Sequence, residues 1–181
     1  MADVGIETLT ASAARRAQAA LVVLLRNVVD DGGSVGFLPP LSAEEAGEYW
    51  EGVAAAVEGG SRLLWVARDA GSASIIGTVQ LDLEKRANGN HRVEVIKLMV
   101  HTSGRRRGVG RALMLAAQEE ARRQGRSTLV LDTRQGDPSE ALYRSLGWTF
   151  VGAIPRYARS ANGALHATAI YYLLLGERHE R

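Results

Sequence analysis

The stretch Leu98-Met-Val-His-Thr-Ser-Gly-Arg-Arg-Arg-Gly-Val-Gly-Arg-Ala-Leu113 holds the residue types best suited to chemistry. Its apolar start reads as a strand and its Gly/Arg-rich middle as a loop. The spacing of Val109, Ala112, Leu113, Ala116, Ala117 and Ala121 reads as an amphipathic helix. The first-turn amides of a helix lack internal acceptors and stand at the positive end of its dipole. Gly108 and Gly110 remove side chains at that point, so a pyrophosphate could approach those amides closely. Arg105, Arg106, Arg107 and Arg111 add positive charge in the same place. A Walker A loop is excluded because no lysine stands where that motif requires it. A dinucleotide-binding fingerprint is excluded because its third glycine would fall on Leu113. What remains is the pattern Arg/Gln-x-x-Gly-x-Gly/Ala, met by Arg105, Gly108 and Gly110. Taken alone it fits a solvated turn ahead of a helix as well as it fits an anion cradle.

The composition limits what surrounds this loop. With 181 residues, 46% hydrophobic and 23% charged, the chain is expected to form one domain over 1–181 with a well-buried core. Cysteine is absent, which excludes a disulfide scaffold, a zinc ribbon and a thiol nucleophile, and fits a reducing, cytoplasmic setting. The start, MADVGIETLT, lacks the basic and apolar regions of a signal peptide. The apolar run Ala19 to Leu25 ends at Arg26, too short for a bilayer. The net charge is only +2, and lysine occurs only at Lys85 and Lys97, so arginine supplies twenty of the 22 basic residues. Their clustering between Arg105 and Arg126 points to a local anion site; neither a nucleic acid nor a membrane is expected as partner. His91 and His101 stand ten positions apart on one strand, roughly 33 Å if extended, and His166 and His179 lack ligand spacing, so no metal is expected.

The elements that must position the loop follow from periodicity. A weak strand around Val4 and Ile6 precedes a helix over Ala11 to Asp30, ended by Asp31-Gly32-Gly33. Ser42, with Glu45 three residues on, opens a second helix that runs to about Glu58. Leu63 to Ala67 and Ser74 to Leu83 read as a hairpin, and His91 to His101 as a third long strand. After the helix that Gly125 ends come a short strand, Leu129 to Leu131, and a short helix, Ser139 to Leu146. Trp148 to Ile154 and Thr168 to Leu175 close the chain as strands, giving the order β-α-α-β-β-β-α-β-α-β-β. Trp65 is expected in the core, and Trp50 and Tyr49 either in the core or on a pocket wall.

About three dozen residues after Arg105 stands Ala141-Leu-Tyr-Arg-Ser-Leu-Gly-Trp148. This pair of motifs, the strand order and the length together resemble the GNAT superfamily of N-acetyltransferases over nearly the whole chain. Gly32 to Phe37, Val95 to Val100, Leu131-Asp-Thr133 and His166 to Tyr171 carry a closer resemblance, to acetyltransferases of the tabtoxin-resistance type. The resemblance implies an α/β fold with a mixed, mostly antiparallel sheet of about seven strands and helices on both faces. It implies acetyl-CoA as cosubstrate, no metal, and a small amine as acceptor, amino-acid-like or a toxin or antibiotic. Leu98, Met99 and Val100 then correspond to the strand that bonds pantetheine through its backbone. Arg106, Arg107, Gly108, Val109, Gly110 and Arg111 correspond to the pyrophosphate cradle. Tyr143 stands where members often place the general acid that protonates the leaving thiolate.

Glu94 and Asp132 stand where members carry acidic residues, either of which could take the amine's proton or hold its ammonium. Other readings of these three are an exposed strand residue for Glu94, a turn residue for Asp132 and a core aromatic for Tyr143. The asparagine that many members carry seven residues before the tyrosine is Gly136 here, which puts one pantetheine contact in doubt. Gly32 to Phe37 and Pro155 to His166 are expected as acceptor walls, with His166 able to line the site. Without cysteine, transfer would be direct, in a ternary complex. A homodimer is compatible with the resemblance, since many members dimerise, but no segment marks an interface. The rival readings are an acetyltransferase for protein N-termini or lysines, and a non-catalytic acyl-CoA-binding module.

Overall fold

The structure, a computed structural model of the chain, describes residues 4–176. His179 lies outside the described residues. The strands are β1 (Val4–Thr8), β2 (Arg62–Asp69), β3 (Ile75–Leu83), β4 (Arg92–Val100), β5 (Thr128–Arg134), β6 (Thr149–Arg159) and β7 (Leu165–Leu174). The helices are α1 (Ala11–Arg16), α2 (Gln18–Asp30), α3 (Ala43–Glu58), α4 (Val109–Arg123) and α5 (Ser139–Ser145). The sheet has seven strands in the order β1-β2-β3-β4-β5-β7-β6. All neighbours run antiparallel except β4 and β5. This is the expected mixed sheet with helices on both faces.

One expectation needs correction. The helix foreseen over Ala11 to Asp30 is two helices that break at Ala17, whose φ of −88° and ψ of 0° leave the helical basin. Tertiary contacts override the uniform helix-favouring composition. The first piece is capped by Thr10 and tied to α3 through Arg15, which donates to Glu51 and Glu58, each at 2.9 Å. The second is tied at a new angle by Gln18, which donates to the Gly47 carbonyl at 2.9 Å. The α3 start is as expected, with the Ser42 hydroxyl accepting from the Glu45 amide at 3.0 Å.

Each face of the sheet buries its own apolar cluster. On one side α4 and α5 cover Trp65, Val79, Val93, Val95, Leu129 and Tyr171. On the other, α1 to α3 cover Leu64, Val66, Ile75 and Met99, with Trp50 buried among them. The alternation of β2 and β4 residues between clusters is the period-2 pattern of strands buried on both faces. Gly77 is the close-approach point of α4 on β3, since a Cβ there would stand 2.9 Å from Val109 and 3.0 Å from Leu113.

Two irregularities shape the site. The parallel pairing of β4 with β5 covers only Arg92 with Thr128, Val93 with Leu129 and Glu94 with Val130, after which the strands part. On its other edge β4 pairs Ile96 with Gln80 and Met99 with Thr78, so Lys97 and Leu98 oppose Val79 in a bulge. Lys97 takes a left-handed backbone there, with φ of +53°. Farther on, β6 and β7 are longer than foreseen. Of the 155–166 segment, expected as an acceptor wall between the last two strands, 155–159 belong to β6 and 165–166 to β7. Proline is tolerated because β6 is an edge strand and the register jumps from Ile154–Thr168 to Ala158–His166 around it. No helix among the described residues is long and apolar enough to cross a membrane.

Candidate active site

The glycine–arginine loop leaves β4 through a short 3-10 turn, Thr102–Gly104, and enters α4 at Gly108. Arg106 and Gly108 have left-handed backbone, with φ of +59° and +80°. No side chain caps the helix. From Arg106 to Arg111 no amide donates a hydrogen bond within the described residues; the first that does is Ala112, to the Gly108 carbonyl. A run of donors with no acceptor, at a helix start and in a left-handed turn, is a concavity that awaits an anion. A Cβ on Gly108 would meet nothing within 4 Å, so that space is open. One on Gly110 would meet Leu142 at 3.3 Å. The residues present therefore fit a pyrophosphate.

The arginines do not all face that concavity with free charge. Arg105 pairs with Asp31 at 2.5 Å and Arg107 with Asp69 at 2.6 Å, while Arg111 donates to the Ser145 hydroxyl at 2.6 Å. These contacts fasten the loop to the end of α2, the end of β2 and α5. The Arg107 guanidinium holds the Asp69 carboxyl below its usual range, against desolvation, and the Ser72 and Gly71 amides add to this more weakly. Arg106 is exposed and has no side-chain partner among the described residues. The pairings are long-range in sequence, and Asp31 reads there only as a helix stop.

Leu98, Met99 and Val100 lie on β4 beyond the point where β5 departs. Met99 is buried, and Met99 and Val100 pair with β3 on the far edge. The edge that faced β5 has no strand partner there, so it is open to an extended ligand.

Below the parting strands lies a cavity of about 340 Å³ lined by Glu94, Lys97, Asp132, Tyr143, Tyr157 and Thr168, among others. The structure thus brings Glu94, Asp132 and Tyr143 to one site from β4, β5 and α5. Partial desolvation, then the charge of Asp132 and that of Asp82, raise the Glu94 pKa above the ordinary carboxylate range; Arg62 and Arg92 oppose this. Asp132 accepts from the Thr168 hydroxyl at 2.6 Å. Tyr143 is 5% exposed, and burial pushes its phenol well above its ordinary pKa, helped by Asp132 and Asp137 and opposed by a hydrogen bond with Ser139. The phenol therefore keeps its proton at any working pH. Its ring packs between Trp148 and Tyr171, with centroids at 6.1 and 6.0 Å.

The 34–36 segment and β6 flank this cavity. Ser34, Val35 and Gly36 form one side and Tyr157 and Ala158 another. A second cavity of about 190 Å³ continues past Ser34, Gly36, Arg134 and Ala158 toward Leu38 and Ala161. His166 does not line the site. Because β7 begins at Leu165, His166 is held opposite Ala158 in the hairpin ladder, and Ala167 and Thr168 reach the cavity instead. Trp50 and Trp65 are core, at 2% and 4% exposure. Gly136 has φ of +90° and donates to the buried Glu140 carboxylate at 2.6 Å, which fixes the loop where an asparagine would have projected. Lys97, Arg134 and Thr168 also line the cavity, and no local sequence pattern marks them as site residues. Among the described residues no group of three or more His, Asp or Glu side chains is arranged to hold a metal.

Residues 34–148 match the model of the Acetyltransferase (GNAT) family. The chain belongs to the acetyltransferase (GNAT) family. A curated relative, an uncharacterised N-acetyltransferase in the hisH-hisA intergenic region of Azospirillum brasilense, is 34% identical over 111 residues, covering 60% of this chain. The chain spans 63% of that relative's length. Among solved structures, an N-acetyltransferase from Staphylococcus aureus Mu50 superposes with a TM-score of 0.79 at 16% identity, over 96% of this chain and 99% of that one. The phosphinothricin acetyltransferase (Pat) of Sinorhizobium meliloti, solved with acetyl-CoA, superposes with a TM-score of 0.76 at 20% identity, over 98% and 91%. These likenesses show that the sheet and its parting strands are the GNAT fold.

Proposed function

We propose that this GNAT-family chain is an acetyl-CoA-dependent N-acetyltransferase that acts by direct transfer on a small, amino-acid-like amine, a toxin or antibiotic of that class included. The observation that carries the reading is the run of unbonded amides from Arg106 to Arg111 at the end of β4, the same strand that carries Glu94 and Leu98 into a carboxylate-lined cavity. When bound, acetyl-CoA supplies the activated acetyl thioester. The amides and Arg106 hold its pyrophosphate, and the open edge of β4 at Leu98 to Val100 holds its pantetheine arm. The cavity of about 340 Å³ takes the acceptor, a volume that suits a small molecule.

The chemistry follows from the protonation states. An acceptor arrives as an ammonium and must lose a proton before its nitrogen can attack. Glu94, with its raised pKa, is the base that takes that proton, directly or through water. Asp132, oriented by Thr168, holds the ammonium and then the amine in place. The carbon–nitrogen bond forms as the carbon–sulfur bond breaks, and the electron pair goes to sulfur. Tyr143 donates its O–H toward that sulfur. A coenzyme A thiolate resembles a cysteine thiolate, whose conjugate acid has a pKa near 8.5. Full transfer from a phenol of higher pKa is uphill, so Tyr143 acts first as a hydrogen-bond donor to developing charge, and the second proton, shed by the acylated nitrogen, reaches the thiolate through water.

A coenzyme A release assay against amino acids, other small amines, and peptides with free N-termini or lysines tests this reading. Release with a small amine, together with thermal stabilisation by acetyl-CoA, supports it. Release with peptides alone would move the acceptor to proteins, and stabilisation without release to any amine would leave a binding module.

A further inference from the structure

Lys97 is the residue of the site whose chemistry the acetyl transfer leaves unused. It is one of only two lysines in a chain with twenty arginines, so a compact point charge stands here where the chain elsewhere uses a planar fork. It is one of the two residues that oppose Val79 in the β4 bulge, and it takes a left-handed conformation that side chains avoid unless their surroundings enforce it. Its Nζ donates to the Val35 carbonyl at 2.5 Å and lies 5.9 Å from the ring centroids of Phe37 and Tyr49. An ammonium has three donors, and these contacts use one. The other cation on the cavity wall, Arg134, has its counter-ion, Asp137, at 2.9 Å. Arg62, behind the sheet edge, has Asp82 at 3.0 Å. No carboxylate among the described residues comes within ion-pairing distance of Lys97. Half-buried and without an anion, it has its pKa lowered by desolvation and by Arg62, and only partly restored by Asp132 and Glu94.

The cavity thus holds two carboxylates for an ammonium and one cation lacking its anion. Resting on the acetyltransferase reading, we propose that Lys97 determines acceptor specificity by binding a carboxylate, so that the acceptor is a zwitterion with its carboxylate close to the amine that is acetylated. Bases that need an amine alone give no reason for a lysine beside them, since a second positive charge repels a simple cationic amine. A carboxylate on the acceptor turns that repulsion into attraction and supplies the missing counter-ion. The Phe37 and Tyr49 rings and the Val35 carbonyl hold Nζ in place, so little side-chain freedom is lost on binding.

The test is binding, which requires no turnover. Calorimetry on the full chain loaded with coenzyme A compares the twenty common L-amino acids with their carboxamides. At least one amino acid should bind about tenfold or more tightly than its amide, as expected of one charge-assisted hydrogen bond. Lys97→Met should bring the pair to within about twofold, with coenzyme A affinity unchanged, while Lys97→Arg should keep part of the preference. A purely structural staple to Val35 would weaken acid and amide alike. Melting curves identify a variant that has not folded, in which case Lys97→Gln replaces Lys97→Met. Equal binding of every acid and its amide by the wild type overturns the proposal, as does a preference that survives removal of the charge. A Lys97-dependent preference without acetyl product in the release assay keeps Lys97 as the carboxylate-binding residue and removes the acetyltransferase reading.

Discussion

The two sides of the parted sheet offer a ligand different kinds of group. The loop side, from Arg105 to Arg111, presents backbone amides contributed by one continuous segment, and most of its arginines are spent on fastening that segment in place. The acceptor side presents side chains from β4, β5, α5 and β7 with walls from the 34–36 segment and β6, and both signs of charge meet there. Backbone recognition tolerates changes of side chain as long as the turn survives, and it suits a ligand that many related proteins share. Side-chain recognition changes with single substitutions, and it suits the partner that distinguishes one relative from another.

The largest expected effect attacks the backbone side. Gly108→Asp places a carboxylate in the concavity, and like charges brought together there cost several kcal/mol. Acetyl-CoA affinity should fall about a hundredfold or more, and titration calorimetry should show heat in the wild type only. Aspartate tolerates left-handed backbone better than most residues, so the unliganded variant should melt within a few degrees of the wild type. Retained affinity would show that the amides are not the cradle.

Next in size is Tyr143→Phe, which keeps the packed ring and deletes the donor. Turnover should drop by about 10²- to 10⁴-fold, with acetyl-CoA affinity unchanged in the same calorimetric experiment. Unaltered turnover would make Tyr143 a core residue only.

Glu94→Gln and Asp132→Asn separate the two carboxylates. Removing the base should lower kcat and erase the acidic limb of the kcat/KM profile. In the wild type that limb should lie above the ordinary carboxylate range, because Glu94 is raised. Removing the ammonium holder should raise KM for the acceptor more than it lowers kcat, since that contact exists in the ground state too. Two matching kinetic signatures would show that the pair acts as one unit.

The smallest effect is on stability. A carboxylate whose folded pKa is raised binds its proton more readily in the native state, so it lowers stability as pH rises from the unfolded value through the folded one. Glu94→Gln should therefore melt slightly higher than the wild type at pH 7, with most of the gain gone near pH 4, where Glu94 is largely protonated in both states. Melting curves at the two pH values check the sign.

The contrast also explains what could be read in the sequence. Strand order, helix ends and the Gly108–Gly110 turn are local patterns, and the structure has them close to where periodicity puts them. The tertiary decisions were hidden. Nothing in an alanine-rich run marks Ala17 as a break, because the break is set by α3. Lys97 reads as an ordinary strand residue until the β3–β4 register puts it in the bulge. Pro155 reads as the end of a strand, and only the unpaired edge of β6 lets the ladder resume beyond it. His166 was misplaced for the same reason. The ion pairs of Arg105 and Arg107 join residues far apart in sequence, so the segment looked more charged toward its ligand than it is.

The short β4–β5 pairing has a mechanical consequence. Three residue pairs are all that the backbone ladder contributes between the β1–β4 raft and the β5–β7 raft; the remaining adhesion is the apolar cluster under α4 and α5 and a few further hydrogen bonds, such as Arg126 to the Glu84 carbonyl at 2.8 Å and Arg134 to the Gly32 carbonyl at 3.1 Å. Regions joined by few bonds open separately and at lower free energy than the whole. A long ligand bonded to the free edge of β4 and to the start of α4, and touching α5 and β5 across the gap, would act as the missing length of ladder. Occupancy would then make the two rafts unfold as one cooperative unit, so the denaturation curve would become steeper as well as shift.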